Sequence, residues 1–346
     1  MKKNTVKKMM ALACAGAMTR SLAACGSNGG GNADNRSSAE PTGAASNVKI
    51  GILQYAPHPS LDNCYTGILQ GLEEVGYVDG ENGVSIEFQN ANGSTSDGDL
   101  MAKTMVSSGC DIIIAIATPA AMSAYAAAKD DGVPVIYSAV SDPVGAGLAK
   151  DLDDPETGAS GTKDALNLEG QMKMIRALLP DADTIGILYT TSEPNSVSHL
   201  QTFQELAPNY GFTIEAVGIS NESEVASGAA ALVAKGVDCV NNFTDNNVVN
   251  NLSTLLHATD AAGIPVFGSE EEQVRNGCVA SESLDYIALG AETGRMAASV
   301  LSGESDIMSL PVSVVADSSP VYSSANLAKF NITLPADYSD ATDLDA

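Results

Sequence analysis

Ile50-Gly51-Ile52-Leu53 and Ile185-Gly186-Ile187-Leu188 are one phrase written twice, 135 positions apart. Gly109-Cys110-Asp111 returns as Gly236-Val237-Asp238, 127 positions on, and Gly132-Val133-Pro134-Val135 as Gly263-Ile264-Pro265-Val266, 131 positions on. Three marks in one order at nearly one offset imply two copies of the same strand–helix unit, hence two similar lobes. Two lobes leave a cleft between them, where small ligands bind.

Hydrophobic patterning fills in the units. Strands are expected at Val48–Gln54, Val84–Asn90, Ile112–Ala117 and Val135–Val140, then at Thr184–Tyr189, Thr213–Ile219, Cys239–Phe243 and Val266–Gly268. Helices are expected between them, near Asp62–Val75, Asp97–Ser108 and Ala120–Asp131, then Ser196–Tyr210, Glu222–Lys235 and Asn247–Ala262. Strands alternating with helices give an α/β fold of two similar doubly wound parallel-sheet lobes joined by a hinge. The run Ile112-Ile113-Ile114-Ala115-Ile116-Ala117 is what a strand covered on both faces requires. A further helix over Leu284–Gly303 and a strand over Val312–Val315 are expected to cross back to the first lobe and return. With a crossing near Gly161–Asn167, this predicts a first lobe of residues 48–163 plus about 284–312, and a second of 164–283 plus about 313–338.

The start of the chain speaks to location. Residues 1–24 carry Lys2, Lys3, Lys7, Lys8 and Arg20 with no acid, and Met9 to Met18 is apolar. This is a secretory signal pattern, too short to span a bilayer. Ser21-Leu22-Ala23-Ala24-Cys25 resembles the lipobox of bacterial lipoproteins, although Arg20 interrupts the apolar stretch. The resemblance implies cleavage before Cys25, a diacylglyceryl thioether on its sulfur and attachment to the membrane. Residues 25–47 are rich in Gly, Ser, Asn and Ala and read as a flexible tether. The expected location is extracytoplasmic and lipid-anchored, at a cell surface or in a periplasm, the long tether leaning to a Gram-positive surface.

The chain carries 43 acids against 17 Lys and Arg, a formal charge of −26. Without the five signal cations this becomes −31, which excludes a nucleic-acid binder and disfavours anionic lipid surfaces. No CxxC occurs and the three His are scattered, so neither a metal nor a cofactor is expected. Cys64, Cys110, Cys239 and Cys278 read as buried small hydrophobes. There is no GxSxG, HExxH or GxxxxGK[ST], and Gly145-Ala146-Gly147 meets Lys150 where a dinucleotide fingerprint needs its third Gly. No enzyme is expected. His58 reads as an ordinary loop histidine beside the cleft.

In open parallel sheets ligands sit at the carboxyl ends of the strands. Aligning the repeats nominates the loops that start at Gln54, Thr118, Ser138, Thr190, Asp245 and Ser269. Thr118-Pro119 has the pattern of a helix start, whose free N–H groups suit a carboxylate. Asp245, Glu270 and Asp142 are candidates for an ammonium group.

These residues carry a family resemblance. Gln54 through Asp62 (QYAPHPSLD), Gly71-Leu72 with Gly76-Tyr77, Ala115 to Ala121 (AIATPAA), Ala139 to Leu148 (AVSDPVGAGL) and Leu188 to Ser196 (LYTTSEPNS) resemble the ABC-transporter substrate-binding lipoproteins of the tryptophan/tyrosine-binding type. The resemblance runs from about Val48 to Pro335. It implies a periplasmic-binding-protein-like I fold that closes on an amino acid, aromatic in some members, and delivers it to a membrane permease. By position it carries over Gln54, Asp62, Thr118, Pro119, Ser141, Asp142, Thr191, Glu193, Asn195, Asp245, Asn246 and Glu270 as ligand contacts. Thr118 and Ser141 would hold the carboxylate, Asp245 and Glu270 the amine, and Tyr55, Pro119 and Phe243 the side chain. A monomer is expected. A sensor protein feeding a membrane receptor, or a transport receptor for a sugar or nucleoside, would share this fold and cleft. The absence of Trp argues against a sugar platform.

Overall fold

A computed structural model describes residues 47–346. The signal segment, Cys25 and nearly all of the tether therefore lie outside the described residues. No described helix is long and apolar enough to cross a membrane.

The first lobe alternates through β1 (Val48–Gln54), α1 (Pro59–Glu73), β2 (Val84–Asn90), α2 (Thr95–Ser107), β3 (Ile112–Ile116), α3 (Thr118–Ala128), β4 (Val135–Ser138) and β5 (Ala159–Asp164). The second runs through α4 (Leu168–Leu178), β6 (Thr184–Thr190), α5 (Pro194–Leu206), β7 (Thr213–Ile219), α6 (Val225–Lys235), β8 (Cys239–Asn241), α7 (Asn246–Asn250), α8 (Leu252–Ala261), β9 (Val266–Phe267), α9 (Glu271–Arg275) and β10 (Ala280–Leu284). The chain then returns to the first lobe as α10 (Tyr286–Leu301) and β11 (Ser313–Val315). It ends on the second with β12 (Ser318–Tyr322), α11 (Ser324–Lys329) and β13 (Thr342–Asp343).

The first sheet has the order β11-β5-β4-β3-β1-β2 and is parallel throughout. The second has the order β7-β6-β8-β9, also parallel. The central orders β2-β1-β3-β4 and β7-β6-β8-β9 match, so the written repeat is a repeat of topology. Every residue of β3 is buried, because helices cover both faces of the sheet. A smaller sheet, β10-β12-β13, completes the second lobe.

Three readings of the sequence need correction. Gly161–Asn167, taken as a crossing, begins as strand: Ala159–Asp164 pairs with β4 on one side and β11 on the other. Its sequence Ala-Ser-Gly-Thr-Lys-Asp has almost no apolar signal, yet it is buried except at Lys163. Ser313–Val315, assigned to the second lobe, pairs with Thr162–Asp164 in the first sheet. Val312 beside it sits in the first lobe's core, so the final crossing follows Val315. Asn247–Ala262, read as one helix, is two, divided at Asn251.

One contact closes the first lobe across the whole sequence. Helix α10 runs parallel to α1, backbone against backbone, through Gly67 and Gly71 on one and Gly290 and Gly294 on the other. A Cβ at Gly71 would overlap the carbonyl oxygen of Ala291, and one at Gly294 the carbonyl oxygen of Ile68. Only glycine allows this approach. Gly71→Ala or Gly294→Ala is expected to cost about 1–3 kcal/mol by overpacking. Gly98→Ala in α2, where a methyl meets Ser123 at an ordinary 3.5 Å, is expected to cost nothing measurable. Urea unfolding of the three variants checks this, and equal midpoints would refute the close packing.

Candidate functional site

Three helices beside the cleft, α1, α3 and α5, begin with a proline in the first turn. Proline suits that position because its missing N–H would have no helical partner. The ends of the parallel strands and these helix starts surround one cavity between the lobes. It holds about 370 Å³, including space open to solvent. The first lobe supplies His58, Ser60 and Leu61 from the start of α1, and Ala117 and Thr118 after β3. It also supplies Ala139 and Ser141 after β4, Asp164 at the end of β5, and Tyr286 at the start of α10. The second lobe supplies Asn195, Thr244, Asn246, Val249, Glu270 and Gln273.

Ala117 and Ala139 are non-glycine residues in the left-handed region, with φ of 78° and 56°. Both lie directly after a strand, and the strained turn presents Thr118 and Ser141 to the cavity. Such strain persists where the surroundings over-determine it, and it concentrates at functional sites.

Six polar atoms of the lining residues are fully buried and find no partner among the described residues: His58 Nδ1, Ser60 Oγ, Asp164 Oδ1, Asn195 Oδ1, Thr244 Oγ1 and Glu270 Oε1. Buried polar groups are normally satisfied, so their gathering at one cavity marks a place for a polar ligand. Three of them are oxygens that can only accept while the acids are ionised. Asn195 is fixed as an acceptor, because its Nδ2 donates to Glu193 Oε2 and to the carbonyl of Thr244, both at 3.3 Å. Asp164 Oδ2 accepts from Tyr286 Oη at 3.1 Å, leaving Oδ1 over. Glu270 Oε2 accepts the Glu272 N–H at 2.7 Å as the cap of α9, leaving Oε1 over. Among the described residues no Lys or Arg lines the cavity; Lys163 donates instead to the carbonyl oxygen of Ser141.

Burial sets the charge states. It raises the Glu270 carboxyl to about 7, with the nearby Ser60 hydroxyl pulling it back. It raises Asp164 too, against Ser141, Lys163 and Tyr286. It holds His58 neutral, down to about 4, although the ring faces Asn246. A donor-rich or cationic group would satisfy this set.

The structure sorts the residues read from the sequence. Thr118, Ser141, Asn195, Asn246 and Glu270 come together at the cavity. Tyr55, Pro119 and Glu193 line a neighbouring groove with Met122 and Asn247. Gln54 Nε2 donates to Asp62 Oδ1 at 2.8 Å, Gln54 Oε1 is buried without a partner among the described residues, and neither residue lines the cavity. Asp142 accepts the Gly145 N–H at 2.9 Å and caps its own turn. Thr191 is exposed and donates to the carbonyl of Ile219. Phe243 belongs to the second lobe's core, edge-on to Phe203 with ring centres 5.3 Å apart.

Asp245 is the main correction. Its Oδ1 accepts from Thr190 Oγ1 at 2.8 Å and the Val248 N–H at 3.0 Å, and its Oδ2 from the Thr190 N–H at 2.5 Å. It caps α7 and ties the end of β6 to that helix, and it does not line the cavity. Beside it, burial and the charge of Asp245 push the Glu193 carboxyl well above the usual carboxylate range. Asp164, Tyr286, Ser60, Thr244 and Gln273 were not foreseen. Asp164 ends a strand without an apolar run, and Tyr286 follows a crossing, so neither stood at a recognised strand end.

Asp245→Ala is therefore expected to destabilise the fold by about 2–3 kcal/mol, since it orphans the buried Thr190 N–H and removes a helix cap. Thermal unfolding without ligand checks this. An unchanged melting temperature together with lost binding would return Asp245 to the ligand site.

Comparison with known proteins now adds to the geometry. The ABC transporter substrate-binding protein family matches residues 49–343. A tyrosine-binding protein of Clostridioides difficile (strain R20291) is 37% identical over 310 residues, covering 89% of this chain and 88% of that one. Among solved structures, an ABC domain from Streptococcus pneumonia in complex with L-Trp superposes with a TM-score of 0.82 at 36% identity, covering 86% of this chain and 99% of that one. The ligand-free, open structure of a substrate-binding protein with adhesive properties from Clostridium difficile gives 0.65 at 35% identity and the same coverage. A myo-inositol-bound solute-binding protein from Bacillus halodurans, 16% identical with a TM-score of 0.60, shares the fold alone. The two-lobed parallel fold, the polar cavity between its lobes and this match over nearly the whole described body agree: the chain belongs to the ABC transporter substrate-binding protein family.

Proposed function

We propose that this substrate-binding protein captures an aromatic L-amino acid in the interlobe cavity and presents it to a membrane permease. The observation that carries the reading is the set of buried acceptors, Asp164 Oδ1, Glu270 Oε1 and Asn195 Oδ1, around a cavity with no cationic side chain among the described residues. An ammonium supplies the missing donors. Thr118 opens α3, whose free N–H groups favour a carboxylate, and Ser141 lines the same cavity. Leu61, Val249 and the ring of Tyr286 offer the apolar wall. The relatives add support: one is described as tyrosine-binding and another was solved with L-Trp.

The lobes stand closed in this reading. At nearly equal identity and coverage, the chain is closer in shape to the Trp-bound relative than to the open, ligand-free one. Asn63 of α1 reaches Glu272 of α9 across the seam at 3.4 Å. Ligand would select this closed state because only it contacts both lobes. Lipidation at Cys25 would hold a monomeric body outside the membrane, beside its permease.

A thermal-shift screen of protein stripped of ligand by unfolding and refolding tests the ligand class. An amino acid at 100 times its Kd stabilises by about 2.7 kcal/mol, which a melting curve reads. The expected outcome is a rise with Trp, Tyr or Phe, and a loss of at least about tenfold in affinity for Asp164→Asn, roughly 1.4 kcal/mol. A flat response to all amino acids with a rise for a sugar or nucleoside would discard the aromatic reading and keep the family.

A further inference from the structure

Glu270 differs from every other acid near the cavity in where it stands. It lines the inner cavity and also both outer grooves that flank it, one beside Pro57–Pro59 and α8, the other beside Asp285–Ile287. It is the wall between the inside of the cleft and the outside. One of its oxygens is fixed by the cap of α9 and the other is buried without a partner. The residue is only 2% exposed.

Elements of the opposite lobe create that burial. From α1 it is faced by Ser60 and, across the same cavity, His58; from α10 by Tyr286; Cys64 lies behind them. Its own side offers Glu272, Gln273 and Cys278. None of these is a cation at neutral pH. Arg275, the nearest in sequence, is tied to Glu271. Asp164 is buried as well, but its partner Tyr286 belongs to its own lobe, so lobe motion leaves that pair together. Glu193 and Asp245 lie wholly within the second lobe among amide and hydroxyl donors.

We infer that Glu270 couples cation recognition to lobe closure: closing without ligand requires a proton from solvent on its free carboxylate oxygen, and the ammonium of the ligand takes that proton's place. Only an O–H bond is made or broken, and the displaced proton returns to solvent. The ammonium part of this rests on the amino-acid reading above; the closure part does not.

The sign follows from the shift. In an open cleft Glu270 would titrate as an ordinary carboxyl, whereas in the closed one burial lifts it to about 7. The closed, ligand-free protein binds the proton more tightly, so lowering the pH through 7 favours it, and the gain saturates below the ordinary carboxylate range. A ligand cation gives the same relief at any pH, because it lets the ionised acid be buried.

The experiment measures a distance across the cleft. Spin labels replace the exposed Met122 of α3 and Val197 of α5 in ligand-stripped protein whose described cysteines are buried. In the unsubstituted background the distance is expected to shorten as the pH falls from 8.5 to 5.5, with a midpoint between the ordinary carboxylate range and about 7, and to stay short at both pH values with saturating L-tryptophan. Glu270→Gln keeps the acceptor that caps α9 and removes the charge. It is expected to be closed at both pH values without ligand. It should lose at least tenfold in affinity for L-tryptophan at pH 8, while the amine-free analogue indole-3-propionate binds it no worse. A distance indifferent to pH, or a pH response that survives Glu270→Gln, overturns the inference. A pH response abolished by Glu270→Gln, with neither L-tryptophan nor L-tyrosine binding, supports the closure switch and overturns the ligand reading alone.

Discussion

The packing of α1 on α10 is the constraint on which the rest of the molecule depends. Four glycines let two parallel helices meet backbone to backbone. One belongs to the first strand–helix unit of the chain; the other arrives only after the whole second lobe has been made. The first lobe's core contains Leu284, Tyr286, Leu289 and Met296 from that returning segment. The first lobe therefore completes its core across a loop of about two hundred residues, and such closure costs entropy that local contacts do not offset early. The result binds the lobes topologically, and it also fixes half of the site. Both helices point their amino ends at the cavity, carrying His58, Ser60 and Leu61 on one and Tyr286 on the other. Their partial positive ends meet there, which moderates the cost of burying Asp164 and Glu270 opposite.

The cavity is destabilising wherever it is examined locally. Two alanines hold left-handed backbone, six polar atoms lack partners among the described residues, and two acids are buried in a lining that includes no described Lys or Arg. Sequences violate local rules of this kind at functional sites and compensate elsewhere. The compensation is visible in the saturated parts of the same lobes. The second lobe's Asp245 and Glu193 are surrounded by donors from Thr190, Asn246, Asn247 and Val248. A carboxylate is satisfied in the same lobe in which another is left wanting. The difference between Asp245 and Glu270 is one of supplied donors, and that difference separates scaffold from site.

The fold was legible because its signals are periodic and repeated. Strands at Val48–Gln54, Val84–Asn90 and Thr213–Ile219 stand where the alternation of apolar residues puts them, and the paired phrases at Ile50 and Ile185 become equivalent central strands. Strand β5 was not legible. Its burial comes from neighbours on both sides and from Thr162 bonding Thr293 of α10 at 2.8 Å, a contact no local pattern announces. The site was half legible for the same reason. Thr118, Ser141, Asn195, Asn246 and Glu270 follow recognisable strand ends. Asp164 ends the strand that was not legible and Tyr286 follows a crossing, and both depend on the return of α10. Asp245 was misread because a capping carboxylate and a ligand-binding carboxylate look alike in sequence; only the count of donors around each oxygen tells them apart.

Charge enters at two ranges that should be kept apart. The chain as a whole is strongly acidic, at −26, and a field of that sign attracts free cations and repels free anions. An amino acid near neutral pH is a zwitterion with no net charge, so that field neither gathers nor rejects it beyond a Debye length of about 8 Å. Discrimination must then be made at contact, by groups that read the two ends of the dipole separately. Buried acceptors do this better than exposed charges, because water no longer screens them and because a ligand lacking the donor leaves them unsatisfied. An acid that is uncomfortable when the cleft closes without ligand, and comfortable when it closes over an ammonium, makes closure itself the act of recognition.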